Sequence, residues 1–134
     1  MQFRTVALAG ALVLFAGSAF ADDPMVNTYA NTVNTTNKAT SAKGTLLFNQ
    51  DGTYTGKTTG KDGKPVQYPG HWTLKDGDAA ICLTVDTPPN APADAAAQMP
   101  KPSCSPLQKH NVGDNWTVTN DQGETFDVSL VAGR

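Results

Sequence analysis

The clearest structural signal in this chain is TLLFNQDGTYTGK, which spans residues 45–57. Apolar and polar side chains alternate on both sides of its turn, with Leu46 and Phe48 before it and Tyr54 after it. A period of two is typical of strands that bury one face. Gly52 can adopt the positive φ that a tight connection requires. This stretch therefore predicts a β-hairpin.

Turn sequences recur about every 10 to 15 residues beyond this hairpin, at residues 61–65, 75–78 and 121–123. They separate short segments that favour strands, and a further strand is expected within residues 103–110. The chain is therefore predicted to be all-β, as a seven- or eight-stranded antiparallel meander. Such a number of strands is sufficient for a small barrel, closed or partly open.

The predicted core follows from the same alternation. Its members are apolar residues at period-two positions: Leu46, Phe48, Tyr54, Trp72, Leu74, Ile81, Leu83, Val85, Trp116, Val118, Phe126, Val128 and Leu130. A core of this size is modest, so a covalent cross-link would add useful stability.

Residues 1–21 are predicted to be a cleaved signal peptide. Arg4 precedes an apolar stretch of about a dozen residues, and Ala19 and Ala21 are the small residues that a cleavage site requires. The alternative is a membrane anchor, but a spanning helix needs roughly 20 apolar residues. The mature chain is therefore expected in the periplasm or outside the cell, without a membrane span.

The mature chain is expected to form one domain. Residues 22–43 are rich in Asn and Thr and predict a polar N-terminal arm or an edge strand, whereas residues 44–134 form the barrel domain. A Pro- and Ala-rich loop interrupts the strand pattern at residues 87–103. Lys and Arg number 10 against 12 Asp and Glu, a net charge of −2, and this balance argues against nucleic-acid binding.

The chain has two cysteines, Cys82 and Cys104. An even number in an exported chain favours a disulfide. The alternative is a metal site shared with His71 and His110, but the four residues lack the close spacing of metal ligands. We therefore expect a disulfide, no metal and no cofactor, and both histidines are expected at the surface.

Catalytic residues are not evident in the sequence. It has no Gly-x-Ser-x-Gly motif. Four aspartates lie beside or near turn glycines, where their side chains cap the local backbone: Asp51, Asp62, Asp76 and Asp121. We therefore expect no enzymatic activity. A hydrolase with paired carboxylates remains an alternative.

Four aromatic residues are candidates for ligand binding: Tyr54, Tyr68, Trp72 and Trp116. They could line the mouth of a barrel and stack against a sugar or an apolar molecule. The other interpretation is that they fill the interior of a small barrel.

Gly70-His71-Trp72 resembles the Gly-x-Trp signature of lipocalin-like barrels, in which the Trp closes the barrel floor. Together with Cys82 and Cys104, it also resembles the periplasmic inhibitors of secreted metalloproteases. The hairpin, the Gly-x-Trp and both cysteines are similar to those of small exported proteins of Gram-negative bacteria with no assigned function. These resemblances imply a small barrel with one disulfide.

The expected function is that of a non-catalytic binding module of the cell envelope or the secreted fraction. Its partner would be a small apolar or sugar ligand, or an envelope protein. The alternative is an inhibitor of a protease or another hydrolase, which would present residues 22–43 or the loop at residues 87–103 to an enzyme cleft.

Overall fold

The computed structural model describes residues 23–59, 62–87 and 100–134. The predicted signal peptide and most of the predicted loop at residues 87–103 lie outside the described residues. None of the described residues belongs to a helix that could span a membrane.

Eight strands make up a single antiparallel sheet in the order β6-β5-β4-β3-β2-β1-β8-β7. They are β1 (Thr32–Asn37), β2 (Lys43–Phe48), β3 (Thr53–Thr59), β4 (Pro65–Lys75), β5 (Ala80–Val85), β6 (Ser103–Pro106), β7 (Asn115–Thr119) and β8 (Thr125–Val131). The sheet curls into a nearly closed barrel with one unsealed seam, between β6 and β7, and the described residues contain no helix. The predicted all-β meander is therefore confirmed, with eight strands.

The predicted hairpin is formed by β2 and β3. Phe48 is paired with Tyr54, and Gly52 has a φ of 88° in the turn between the strands. The Asp51 carboxylate accepts hydrogen bonds from both the amide and the hydroxyl of Thr53, at 3.0 and 2.6 Å. These bonds lower the pKa of Asp51. The turn is thus held by the residue types from which it was predicted.

The N-terminal part of the barrel differs from the sequence prediction of an arm or an edge strand for residues 22–43. β1 is an interior strand, because it pairs with β2 on one side and with β8 on the other. Its Thr and Asn residues show no apolar alternation that would place it inside a sheet, but six register pairs join it to β8.

The seam stays open because β6 offers few amide donors on the edge that faces β7. Its register with β5 directs the backbone groups of Pro102, Cys104 and Pro106 toward the seam. The two prolines have no N–H to donate. Cys104 bonds instead with Asp121 in the β7–β8 turn: its N–H donates to the carboxylate and its carbonyl accepts from the Asp121 N–H, both at 2.9 Å.

The predicted disulfide lies at this edge of the barrel. Cys82 and Cys104 are register partners on β5 and β6, and their sulfur atoms are at bonding distance, 2.06 Å. The adjacent residues Ile81 and Leu83 line the interior, so Cys82 lies on the outer face. The bond therefore fastens β6, a strand with a neighbour on one side alone, to the rest of the sheet.

The core is smaller than the predicted one. Its buried apolar residues are Met25, Val33, Phe48, Tyr54, Tyr68, Trp72, Ile81, Val128 and Leu130. The remaining predicted core residues are half-buried: Leu46, Leu74, Leu83, Val85, Trp116, Val118 and Phe126. All of these except Leu74 border an internal cavity, which explains their exposure. Met25, Val33 and Tyr68 were missed in the alternation pattern.

Candidate binding cavity

A cavity of about 640 Å³ occupies the interior of the barrel. Ligand pockets of proteins are typically roughly 300–1,000 Å³. Apolar side chains from several strands make up its middle, among them Leu46, Phe48, Ile81, Leu83 and Val128. The cavity exists because other inward positions hold small residues: Thr35, Gly44, Thr58, Ser103 and Ser105.

One end of the cavity is covered by residues 23–31, which we call the N-terminal segment. Met25 is 2% exposed and contributes to the cavity wall together with Thr28. The Asn27 amide donates hydrogen bonds to the His110 carbonyl at 2.9 Å and to the Asn111 side-chain oxygen at 3.1 Å. These bonds tie the segment to the loop between β6 and β7, so it forms the floor of the cavity.

Polar and charged side chains line the opposite end of the cavity, where the β1–β2 and β7–β8 turns lie. They include Asn37, Lys43, Lys101, Asn120 and Glu124. The Glu124 carboxylate accepts hydrogen bonds from the Asn37 and Asn120 amides, at 3.4 and 3.2 Å. The cavity thus has an apolar middle and a polar mouth.

Tyr54 and Tyr68 lie flat against the wall of the cavity because each faces a glycine on the paired strand. Tyr54 is the register partner of Gly70, and Tyr68 is the register partner of Gly56. A Cβ atom at Gly56 would come within 2.2 Å of the Tyr68 ring, and one at Gly70 within 2.4 Å of the Tyr54 ring. The two rings meet edge to face, with centroids 6.4 Å apart.

The hydroxyl groups of these two tyrosines make no hydrogen bond to any described residue. The residues themselves are 3% and 5% exposed. Every fully enclosed side-chain nitrogen or oxygen in the described part of the chain has a hydrogen-bond partner. Because these two hydroxyls have no partner among the described residues, they are not fully enclosed, and they contact the space inside the barrel. Burial raises the pKa of Tyr54 and of Tyr68, so both hydroxyls stay protonated at neutral pH.

The other two aromatic candidates occupy different positions. Trp72 packs against Phe48 and Tyr29 near the floor of the cavity and is not part of the cavity wall. Its indole N–H donates to the carbonyls of Asn49 and Thr53, at 2.9 and 3.1 Å. Trp116 borders the cavity. The fold therefore brings Tyr54, Tyr68 and Trp116 to the cavity and leaves Trp72 in the packing beside it.

His110 is a cavity residue that the sequence prediction placed at the surface, and that prediction was wrong. Its imidazole stacks on the Trp116 ring with centroids 3.5 Å apart and an interplanar angle of 5°. The side chain is 19% exposed, and Nδ1 lies 3.7 Å from the Asp114 carboxylate. The contact joins a loop to a strand, so no local pattern could have indicated it.

His71 projects from the outer face of β4. Its side chain is 60% exposed, and Nδ1 contacts the Asp86 carboxylate. In the described residues no three His, Cys, Asp or Glu side chains come together as a group able to hold a metal ion.

The inhibitor alternative named two segments as candidates for entering an enzyme cleft. The first, residues 22–43, contains the N-terminal segment and β1. These form the floor of the cavity and part of the barrel wall. The second, the loop at residues 87–103, lies mostly outside the described residues.

No family model, curated protein or solved structure matches this chain in comparisons with known proteins. The resemblances noted in the sequence therefore stay predictions.

Proposed function

We propose that this protein is a non-catalytic binding module that holds a small, largely apolar molecule inside its barrel. The observation that carries the proposal is the cavity of about 640 Å³, with its apolar middle, polar mouth and covered floor. Burying an apolar molecule there would remove its surface, and that of the half-buried side chains around it, from water.

A fluorescence titration tests this proposal directly. N-phenyl-1-naphthylamine is a neutral apolar probe whose emission rises when it leaves water, and it is expected to bind saturably with one site per chain. Leu83→Trp would fill the cavity from β5 and is expected to abolish the signal. The matched control is Thr84→Trp, because Thr84 is the next residue on the same strand and is exposed on the outer face.

Two results would contradict the proposal. One is the absence of saturable binding to the parent protein. The other is equal binding by both Trp variants, which would place the probe outside the barrel. Circular dichroism of each variant confirms that the barrel is folded.

We also propose that the protein acts after export, in the periplasm or outside the cell. The disulfide between Cys82 and Cys104 supports this, because such bonds persist mainly in oxidising compartments. The mature protein is expected to begin at Asp22 and to be about 2 Da lighter than its reduced form, since a disulfide lacks two thiol hydrogens. Intact-mass measurement on the protein from fractionated cells checks both features, and a full-length chain with two free thiols would contradict them.

A further inference from the structure

We propose that the ligand is a neutral apolar molecule that carries an oxygen acceptor, such as a ketone carbonyl, and that this oxygen accepts a hydrogen bond from Tyr54 or Tyr68. This inference rests on the proposed function, because it assigns the chemical class of the molecule that the cavity holds.

The first argument is the hydrogen-bonding deficit of the two hydroxyls. Tyr54 and Tyr68 are 3% and 5% exposed, and neither hydroxyl bonds to a described residue. Buried polar groups in folded proteins almost always have a partner, because leaving one unpaired away from bulk water is costly. Both hydroxyls are accessible from the cavity, since no enclosed side-chain oxygen or nitrogen of the described residues lacks a partner. Their partner is therefore whatever occupies the cavity: water in the empty protein, and a ligand atom once a ligand displaces that water.

The second argument is the position of the pair within the cavity. By strand register, Phe48 lies beside Tyr54, Leu46 lies beside Gly56, and Val85 lies beside Gly70. All three of these apolar side chains border the cavity. A charged ligand group at this point would lose its hydration without gaining an opposite charge, whereas a neutral oxygen loses far less.

The third argument is the way in which the rings are held. Gly56 and Gly70 leave space for the rings to lie along the wall, so the hydroxyls are fixed before a ligand enters. Little side-chain ordering is then required on binding. A carbonyl oxygen has two lone pairs and can accept a hydrogen bond from either hydroxyl or from both.

The test compares two probes of the same shape, 2-acetylnaphthalene and 2-isopropenylnaphthalene. The first is a ketone, and in the second a methylene group replaces the carbonyl oxygen. Their affinities are measured by displacement of N-phenyl-1-naphthylamine from the parent, Tyr54→Phe and Tyr68→Phe. The ketone is expected to bind the parent more tightly than the hydrocarbon. At least one Phe variant should weaken ketone binding by about 3- to 10-fold and leave hydrocarbon binding unchanged.

Tyr29→Phe is the matched control, because the Tyr29 hydroxyl bonds to Asp23 and is not part of the cavity wall. It should change neither affinity. Equal binding of the two probes, or equal losses for both in the Phe variants, would overturn the inference while leaving the proposed function in place. If no neutral probe binds the parent, the proposed function and this inference both fail.

Discussion

Two glycines on adjacent strands, Gly56 and Gly70, let two tyrosine rings lie against the barrel wall instead of projecting into the cavity. A Cβ at Gly56 would meet the Tyr68 ring at 2.2 Å, a distance that requires the ring to move into the cavity. Gly56→Ala is therefore expected to lower the free energy of unfolding by about 1–3 kcal/mol, the usual cost of overpacking, and to weaken probe binding. Urea denaturation and the fluorescence titration measure the two effects.

The control for this substitution is Gly44→Ala, at another inward position of the same sheet. There a Cβ would meet the Thr35 hydroxyl oxygen at 3.0 Å, a contact that a small shift can relieve. If Gly44→Ala lowers the free energy of unfolding as much as Gly56→Ala does, the special role of the pairs in which a tyrosine ring lies over a glycine is disproved. The comparison uses stability alone, because Gly44 itself borders the cavity.

The three tyrosines of the chain should all resist ionisation in the folded state. Burial and the hydrogen bond to Asp23 raise the pKa of Tyr29 to about 12, and burial raises the pKa of Tyr54 and Tyr68. Because the folded state holds these protons more tightly, their contribution to stability is complete below pH about 10 and is lost as the pH rises further.

An alkaline titration followed by tyrosinate absorption at about 295 nm checks this prediction. The native protein should show almost no tyrosinate at pH 10, whereas the chain in guanidinium chloride should be about half ionised there. If one tyrosine of the folded protein ionised with a midpoint at about pH 10, its hydroxyl would be better solvated than the fold indicates.

At the scale of single elements, β6 depends on the disulfide more than any other strand. It has four residues, two seam-facing prolines flank its cysteine, and its ladder is with β5 alone. Replacing both Cys82 and Cys104 by Ala should lower the free energy of unfolding by about 3 kcal/mol, the loop-closure value for a separation of 22 residues. Chemical denaturation measures the loss, and unchanged stability in the double variant would refute it.

The free edge of β7 should be visible by hydrogen exchange. The hydrogen bonds at both ends of the β7–β8 pair direct the amides of Trp116 and Val118 toward β8, and those of Thr117 and Thr119 toward the seam. Seam-facing amides lack a ladder partner, so Thr117 and Thr119 should exchange much faster than their neighbours. Uniform protection along β7, measured by NMR, would mean that the seam is closed in solution.

At the scale of the whole molecule, closure of the barrel depends on residues before the first strand. Met25 is 2% exposed, whereas the next residue, Val26, is 49% exposed. Met25→Ala should therefore lower the free energy of unfolding by about 2–5 kcal/mol, and Val26→Ala by less than about 0.5 kcal/mol. Thermal and urea denaturation of the pair compare the two positions, and similar values would show that the N-terminal segment does not seal the barrel.

Much of the strand pattern could be read from the sequence. The β2–β3 hairpin was predictable because a positive φ at Gly52 and a period of two are local properties. β1 was not, since its Thr and Asn side chains have no apolar period, and its place is set by pairing with β8 about 100 residues away. Tyr54 and Tyr68 border the cavity, and their role in ligand binding stays a prediction. The glycines that position their rings were not predicted.

The sequence by itself determined the all-β class and the turns, because neighbouring residues encode these features through φ preferences and alternation. It also determined the pairing of the two cysteines, because each has only the other to pair with in this chain. Only the tertiary structure decided whether the interior would be filled or hollow. That outcome depends on which side chains meet across paired strands, such as Tyr54 on Gly70 and His110 on Trp116. Packing of this kind joins residues distant in the chain, so no local pattern records it.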